Sequence, residues 1–134
     1  MIIRRIPMDA LQQGVYSVLS EKQTTPVYDD VPSGTAMPYI TLGAFTCKNV
    51  GNKTTDISDI SLQLHIWSEY SGKSEINEIA NDVTAALTSW PIDLADAGFN
   101  VMAQDVDFFE AFPEDSGGYH GVITFVAKIQ NLGG

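Results

Sequence analysis

The chain has 134 residues, enough for one domain that buries a core without disulfides or metals. Apolar residues make up 44% and charged residues 18%, which excludes wholesale disorder. A formal net charge of −10 argues against binding nucleic acid through phosphate neutralisation, and a single cysteine, Cys47, excludes an internal disulfide.

The acidic residues are unevenly placed. No Lys or Arg occurs between Lys73 and Lys128, while Glu75, Glu78, Asp82, Asp93, Asp96, Asp105, Asp107, Glu110, Glu114 and Asp115 accumulate there. Such a surface is either a solubility device or one that faces a polyanion without sticking to it. Apolar runs such as Phe125-Val126-Ala127 fall far short of the roughly 20 residues that cross a bilayer. Arg4 and Arg5 are followed by Pro7, Asp9, Gln12 and Gln13 and not by a leader core, so the expectation is a cytosolic protein.

Pro7 suits the first turn of a helix, and Met8, Leu11, Val15, Val18 and Leu19 continue it at helical spacing to about residues 20–23. Val27-Tyr28 is a short extended piece, and Asp29 to Gly34 is turn chemistry. Tyr39 to Phe45 reads as a strand, with Pro38 at its start where no ladder bond is lost. Residues 46–57 are polar, with Lys48, Gly51 and Lys53, and read as a long mobile connection between two antiparallel strands.

Residues 60–87 organise the rest. Ile60, Leu62, Leu64 and Ile66 alternate with Ser61, Gln63, His65 and Trp67, the period of a strand with one buried face. Ile76, Ile79, Ala80, Val83, Ala86 and Leu87 then recur at steps of three and four. Ser74 is the expected N-cap of this second helix, and Trp90-Pro91 its stop. Phe99, Val101 and Ala103 begin a third strand that continues through Val106, Phe108 and Glu110 with a bulge, and residues 113–118 form a hairpin connection. In the last strand Gly121, Ile123, Phe125, Ala127 and Ile129 share one face.

The order α-β-β-α-β-β predicts one α+β domain over residues 1–134. Its two helices pack on one face of a mainly antiparallel four-stranded sheet.

No catalytic constellation emerges. Asp105, Asp107 and Glu110 lack the ligand spacing of a calcium loop, and His65 and His120 stand in no metal spacing. Gly117-Gly118 with Gly121 has neither the lysine nor the helix of a phosphate loop. A Cys47–histidine nucleophile is conceivable, but no local signature accompanies it. The reading is therefore a non-enzyme with no cofactor and no metal. Phe108, Phe109 and Phe112 differ from a plain core pattern, because consecutive strand residues face opposite ways and one ring must leave the core. They are candidate anchors of a protein contact, as are Lys48, Asn49, Val50 and Lys53 in the polar connection.

Val31-Pro32-Ser33-Gly34 with Pro38-Tyr39-Ile40-Thr41-Leu42-Gly43, then Leu64-His65-Ile66-Trp67-Ser68 before Gly72 and the helix carrying Ile76 to Leu87, resembles the tail completion (tail-to-head joining) proteins of long-tailed phages and prophages. The resemblance spans roughly residues 8–130. It implies a structural protein located in the virion tail and, during assembly, the host cytoplasm. Such a protein forms a ring, expected to be a hexamer, on the tail tube protein. It ends tube polymerisation and meets a head-completion protein, with DNA passing through the ring and no membrane involved. A ring needs two different patches on each subunit. The competing readings are a small cytosolic protein-binding or regulatory module without activity, and an enzyme that uses Cys47.

Overall fold

The alternation of Ile60 to Ile66 forms the centre of a sheet. The computed structural model describes residues 2–133. Its elements are α1 (Met8–Lys22), β1 (Val27–Tyr28), β2 (Tyr39–Asn49), β3 (Asp56–Ser68), α2 (Ser74–Ser89), a 3₁₀ turn (Ala95–Ala97), β4 (Phe99–Pro113) and β5 (Tyr119–Asn131). The strand order across the sheet is β1-β2-β3-β5-β4. β3 lies between β2 and β5, antiparallel to both, and β4 pairs antiparallel with β5 at the far edge.

The register places Leu62 opposite Phe125 and Leu64 opposite Ile123, so the apolar alternations of the two central strands coincide on one face. Both helices cover that face. Leu11, Val15 and Leu19 of α1 and Ile76, Val83 and Leu87 of α2 are fully buried in one core with Ile60 to Ile66, Phe125 and Ile129. Burying Ile76, Ile79, Val83 and Leu87 contributes about 6–12 kcal/mol before conformational entropy is set against it. Gly14 faces outward from α1 toward the residues that follow α2; a Cβ there would stand 2.6 Å from Ile92 and 3.1 Å from Leu94. Gln104 closes the C-terminal end of α2. Its amide donates to the carbonyls of Leu87 (2.8 Å) and Trp90 (2.9 Å) and accepts from Ile92 N–H (2.9 Å), serving carbonyls that helix geometry leaves without partners.

The fold departs from the expected one in three ways. The sheet has five strands and is mixed, because β1 pairs parallel with β2 through Val27–Ile40 and Tyr28–Thr41. A two-residue strand has no periodicity to detect. The connection expected at 46–57 narrows to residues 50–55, since β2 runs to Asn49 and β3 starts at Asp56. The polarity of residues 46–49 reflects exposure and not an absence of ladder bonds. The remaining turn is internally tied: Val50 N–H donates to Ile57 O and Asn52 N–H to Thr55 O, each at 2.9 Å, and Asn52 Oδ1 accepts from Thr54 and Thr55. A Cβ at Gly51 would collide with the Thr55 carbonyl. Finally, Ser74 lies inside α2 and does not cap it; Lys73 holds the cap position without a side-chain bond. The first turn is held instead from β3, by Ser68 Oγ donating to Glu75 Oε1 at 2.7 Å.

The N-terminal segment is latched to the end of the sheet where β3 begins. Arg5 N–H donates to Asp56 Oδ2 (2.9 Å), and its guanidinium donates to Asn131 Oδ1 and to the carbonyls of Ala97 and Gly98. Asn131 Nδ2 bridges back to Asp56 Oδ2 (3.0 Å) and Ile3 O (2.9 Å). Burial alone would raise the pKa of Asp56. The Arg5 N–H, the Asn131 amide and the Arg4 guanidinium outweigh it and hold the carboxyl below its ordinary 3.8.

Two outcomes check this architecture. Val83→Asp places a charge in the fully buried α2–sheet contact and should abolish cooperative thermal unfolding; a normal melt would refute the assignment. Asp56→Ala leaves Arg5 N–H and Asn131 Nδ2 short of an acceptor and should cost about 1–3 kcal/mol at neutral pH in urea unfolding. A carboxyl with a depressed folded pKa stabilises fully above its unfolded value and loses that contribution as pH falls through the folded one. The gap between variant and wild type should therefore narrow below pH 3.8.

Candidate functional site

With both helices on one side, the other face of the sheet is open. It carries Ser61, Gln63, His65 and Trp67 from β3, and His120, Val122, Thr124, Val126 and Lys128 from β5. β4 adds Asp105, Phe108, Glu110 and Phe112, and β2 adds Thr41, Thr46 and Lys48.

At the end where β3 finishes, these residues form a hydrogen-bonded chain. His120 Nδ1 lies 2.9 Å from Glu114 Oε1, and its Nε2 lies 2.7 Å from His65 Nδ1. A carboxylate only accepts, so the network assigns the His120 proton to Nδ1; its Nε2 then accepts from His65 Nδ1–H. Trp67 stacks on His120 at 3.9 Å and 15°, and Phe112 meets the same ring edge-on at 4.9 Å. Trp67 Nε1–H donates to Thr41 Oγ1 at 3.1 Å, tying β2 into the cluster. The bulge in β2 between Leu42 and Phe45 contains Gly43, whose missing Cβ leaves the space that the His65 ring fills. Burial, and then the neighbouring His120, push the His65 pKa below its ordinary 6.5.

The chain Glu114–His120–His65 ends without a nucleophile. Cys47 lies opposite Ile60 on the helix side of the sheet, whereas His65 is on the open side five residues further along β3, about 17 Å away. The sequence-level notion of a Cys47–histidine pair is therefore not realised. Among the described residues, no group of three or more His, Cys, Asp or Glu side chains is placed to hold a metal ion.

The proposed contact residues fall into two separate groups. Phe108 and Phe112 point to the open face and Phe109 to the helix side beside Ile76 and Gly121; all three are partly exposed, at 53%, 39% and 36%. Lys48 projects from the open face opposite Asp59, Asn49 ends β2, and Val50 and Lys53 lie in the turn. Strands β3 and β5 separate the two groups, about 14 Å of sheet. A shallow groove of about 540 Å³, lined among others by Lys48, Asp59, Ser61, Asp105, Val126 and Lys128, crosses the open face between the two edges. Sequence reading treated the two histidines singly and so missed the Glu114–His120–His65 chain. The cross-strand register Trp67–His120 was the signal that could have found it.

The depressed His65 pKa fixes the sign of a pH effect. The unfolded chain takes up this proton first, so the contribution of His65 is complete above pH 6.5 and declines as pH falls from 6.5 to the folded value. Urea midpoints of the wild type should fall across that window, and His65→Gln should show a shallower fall. Identical slopes would remove the contribution assigned to His65.

Comparison with curated proteins gives no match. Among solved structures, the chain is similar to a chain of the virion of a native gene transfer agent particle, with a TM-score of 0.82 and 21% identity. The alignment covers 92% of this chain and 96% of that one, so the two share a fold over nearly their whole length. The family of tail completion protein gp17 matches residues 14–130. The chain thus belongs to the tail completion protein gp17 family, as a structural protein of the phage tail in the virion and not an enzyme.

Proposed function

We propose that the protein closes the tail: copies form a ring on the finished tail tube, stop its polymerisation and present the surface that joins the head. The observation that carries this reading is the family match over residues 14–130. It falls on a fold that offers two unlike patches at opposite edges of one sheet. A ring built by rotation uses such a pair, because each subunit meets one neighbour with one patch and the other neighbour with the second. A hexamer is the expected stoichiometry. The tail tube protein lies on one side of the ring and a head-completion protein on the other.

The charge distribution supports the same reading. DNA passes through such a ring, and carboxylates in excess of basic groups repel phosphates and limit sticking. Ten acidic residues and no Lys or Arg lie between Lys73 and Lys128, and those of them that face the channel would suit a conduit and not a nucleic-acid receptor.

Electron microscopy of tails assembled with and without the protein tests the proposal. Tails made without it should have uncontrolled length or fail to join heads, and adding the purified protein back should restore both properties. Normal infectious particles from a deletion would overturn it.

A further inference from the structure

The sheet has two free edges, and they differ in charge. β1 covers β2 only at Ile40 and Thr41, so the outer edge of β2 is unpaired from Leu42 to Asn49. At the other side β4 pairs with no strand but β5; its start is tied to the segment after α2, Phe99 N–H to Leu94 O and Gln104 to Leu87, Trp90 and Ile92, and its outer edge is free of other elements from Asp105 onward. From residue 31 to residue 55 the chain has no acidic residue and carries Lys48 and Lys53. From residue 99 to residue 118 it has no Lys or Arg and carries Asp105, Asp107, Glu110, Glu114 and Asp115. β2 itself thus carries Lys48 and no acid, although Asp29 lies by its Leu42 end and Asp59 faces Lys48, while β4 is strongly acidic.

Each edge also exposes aromatic surface. Phe45, on the helix side of β2, is 48% exposed, and Phe108 and Phe109 flank the acidic groups of β4. An open edge is a template for another strand, and a long one invites aggregation unless its charges restrict what can pair. Two β4 edges brought together would oppose Asp105, Asp107 and Glu110 with the same three carboxylates. Two β2 edges would oppose Lys48 with Lys48, with Lys53 in the adjoining turn. The remaining pairing, β4 of one copy on β2 of the next, joins opposite charges and brings two rows of backbone groups together, with Val106 N–H, now held by Asp105 Oδ1 at 2.8 Å, exchanging its partner. It is also heterologous, which is the contact type that builds a ring and not a two-fold dimer.

We infer that the occupant of each free edge is a second copy of this chain: the outer edge of β4 (residues 105–110) adds to the outer edge of β2 (residues 44–49), so that the sheets continue from subunit to subunit. This interface rests on the ring proposed above and specifies which surfaces close it.

Charge reversal tests it with tails and the full-length protein. One variant carries Asp105→Lys, Asp107→Lys and Glu110→Lys; the other carries Lys48→Glu and Lys53→Glu. All five side chains are on the surface or partly exposed, and circular dichroism of each purified variant verifies folding. Alone, each variant presents two edges of like sign, and the fraction of tails capped at normal length should fall about tenfold or more. Mixed in equal amounts, the two variants can alternate around the ring with opposite charges at every joint. Capping should then recover, as it should in a single chain carrying all five substitutions. Normal capping by either variant alone, or loss without recovery in the mixture, would overturn the edge pairing. Failure of the unsubstituted protein to change tail length would instead overturn the ring itself.

Discussion

The structure depends on one constraint: a sheet has two faces, and this chain has helices for only one. β3 and β5 carry matched apolar alternations, Leu62 with Phe125 and Leu64 with Ile123, so the face they define must be covered. Both helices are spent on that task, and each sends four or more buried side chains into the same core. A chain of this length has no further layer to lay on the other side. The opposite face is therefore polar at Gln63 and Thr124. Of the rings it carries, Trp67 stacks on His120 and Phe112 meets His120 edge-on, while Phe108 stays exposed. The Thr41–Trp67 bond and the Glu114–His120–His65 chain link neighbouring strands laterally, giving the uncovered face a rigidity that helices supply on the other.

The central part of this architecture could be read from the sequence because its signals are local. Ile60 to Ile66 and Ile76 to Leu87 have different periods and meet at a glycine-containing break. The strand-to-helix unit follows from side-chain geometry alone. Phe99 to Glu110 was recognisable as a strand, but its alternation does not hold through the two register shifts: Phe99 and Val101 lie on the helix side, whereas Ala103, opposite Lys128, and Phe108, opposite Thr124, lie on the open face. What was not legible rests on contacts between distant residues. Arg5 is 51 positions from Asp56 and 126 from Asn131, and nothing near Arg5 in the chain announces either partner. His65 and His120 are 55 positions apart, and their contact depends on the register of β3 with β5. Residues 46–49 were misread because polarity on an edge strand resembles polarity in a loop. Ser74 was misplaced by one step because Ser68 supplies from β3 the tie that a cap would otherwise make.

The family signal and the physical reading meet at the same point. Sequence reasoning found no reactive group because the conspicuous polar residues serve geometry: Gln104 closes a helix, Asp56 and Asn131 hold the N-terminal segment, and Glu114 orients an imidazole. A structural protein of the tail has no bond to make or break, and its work is the fit to the proteins around it. Side chains that fix the directions of strands and turns are what such a role demands.

The edges then explain where the acidic residues of β4 belong. A fifteen-residue strand with an open side is an aggregation hazard, and natural sheets blunt such edges with charge and bulges. β4 has both: register shifts at Val101/Ala103 and Val106/Phe108, and Asp105, Asp107 and Glu110 among the residues around the second. In the proposed pairing, the same carboxylates that oppose β4 meeting itself suit it to a strand that carries Lys48 and no acid. A charge pattern that only prevented aggregation would serve equally well with acids on both edges. The opposite signs found here favour one neighbour over the other, and a contact between unlike edges can repeat around an axis where a contact between like edges stops at two.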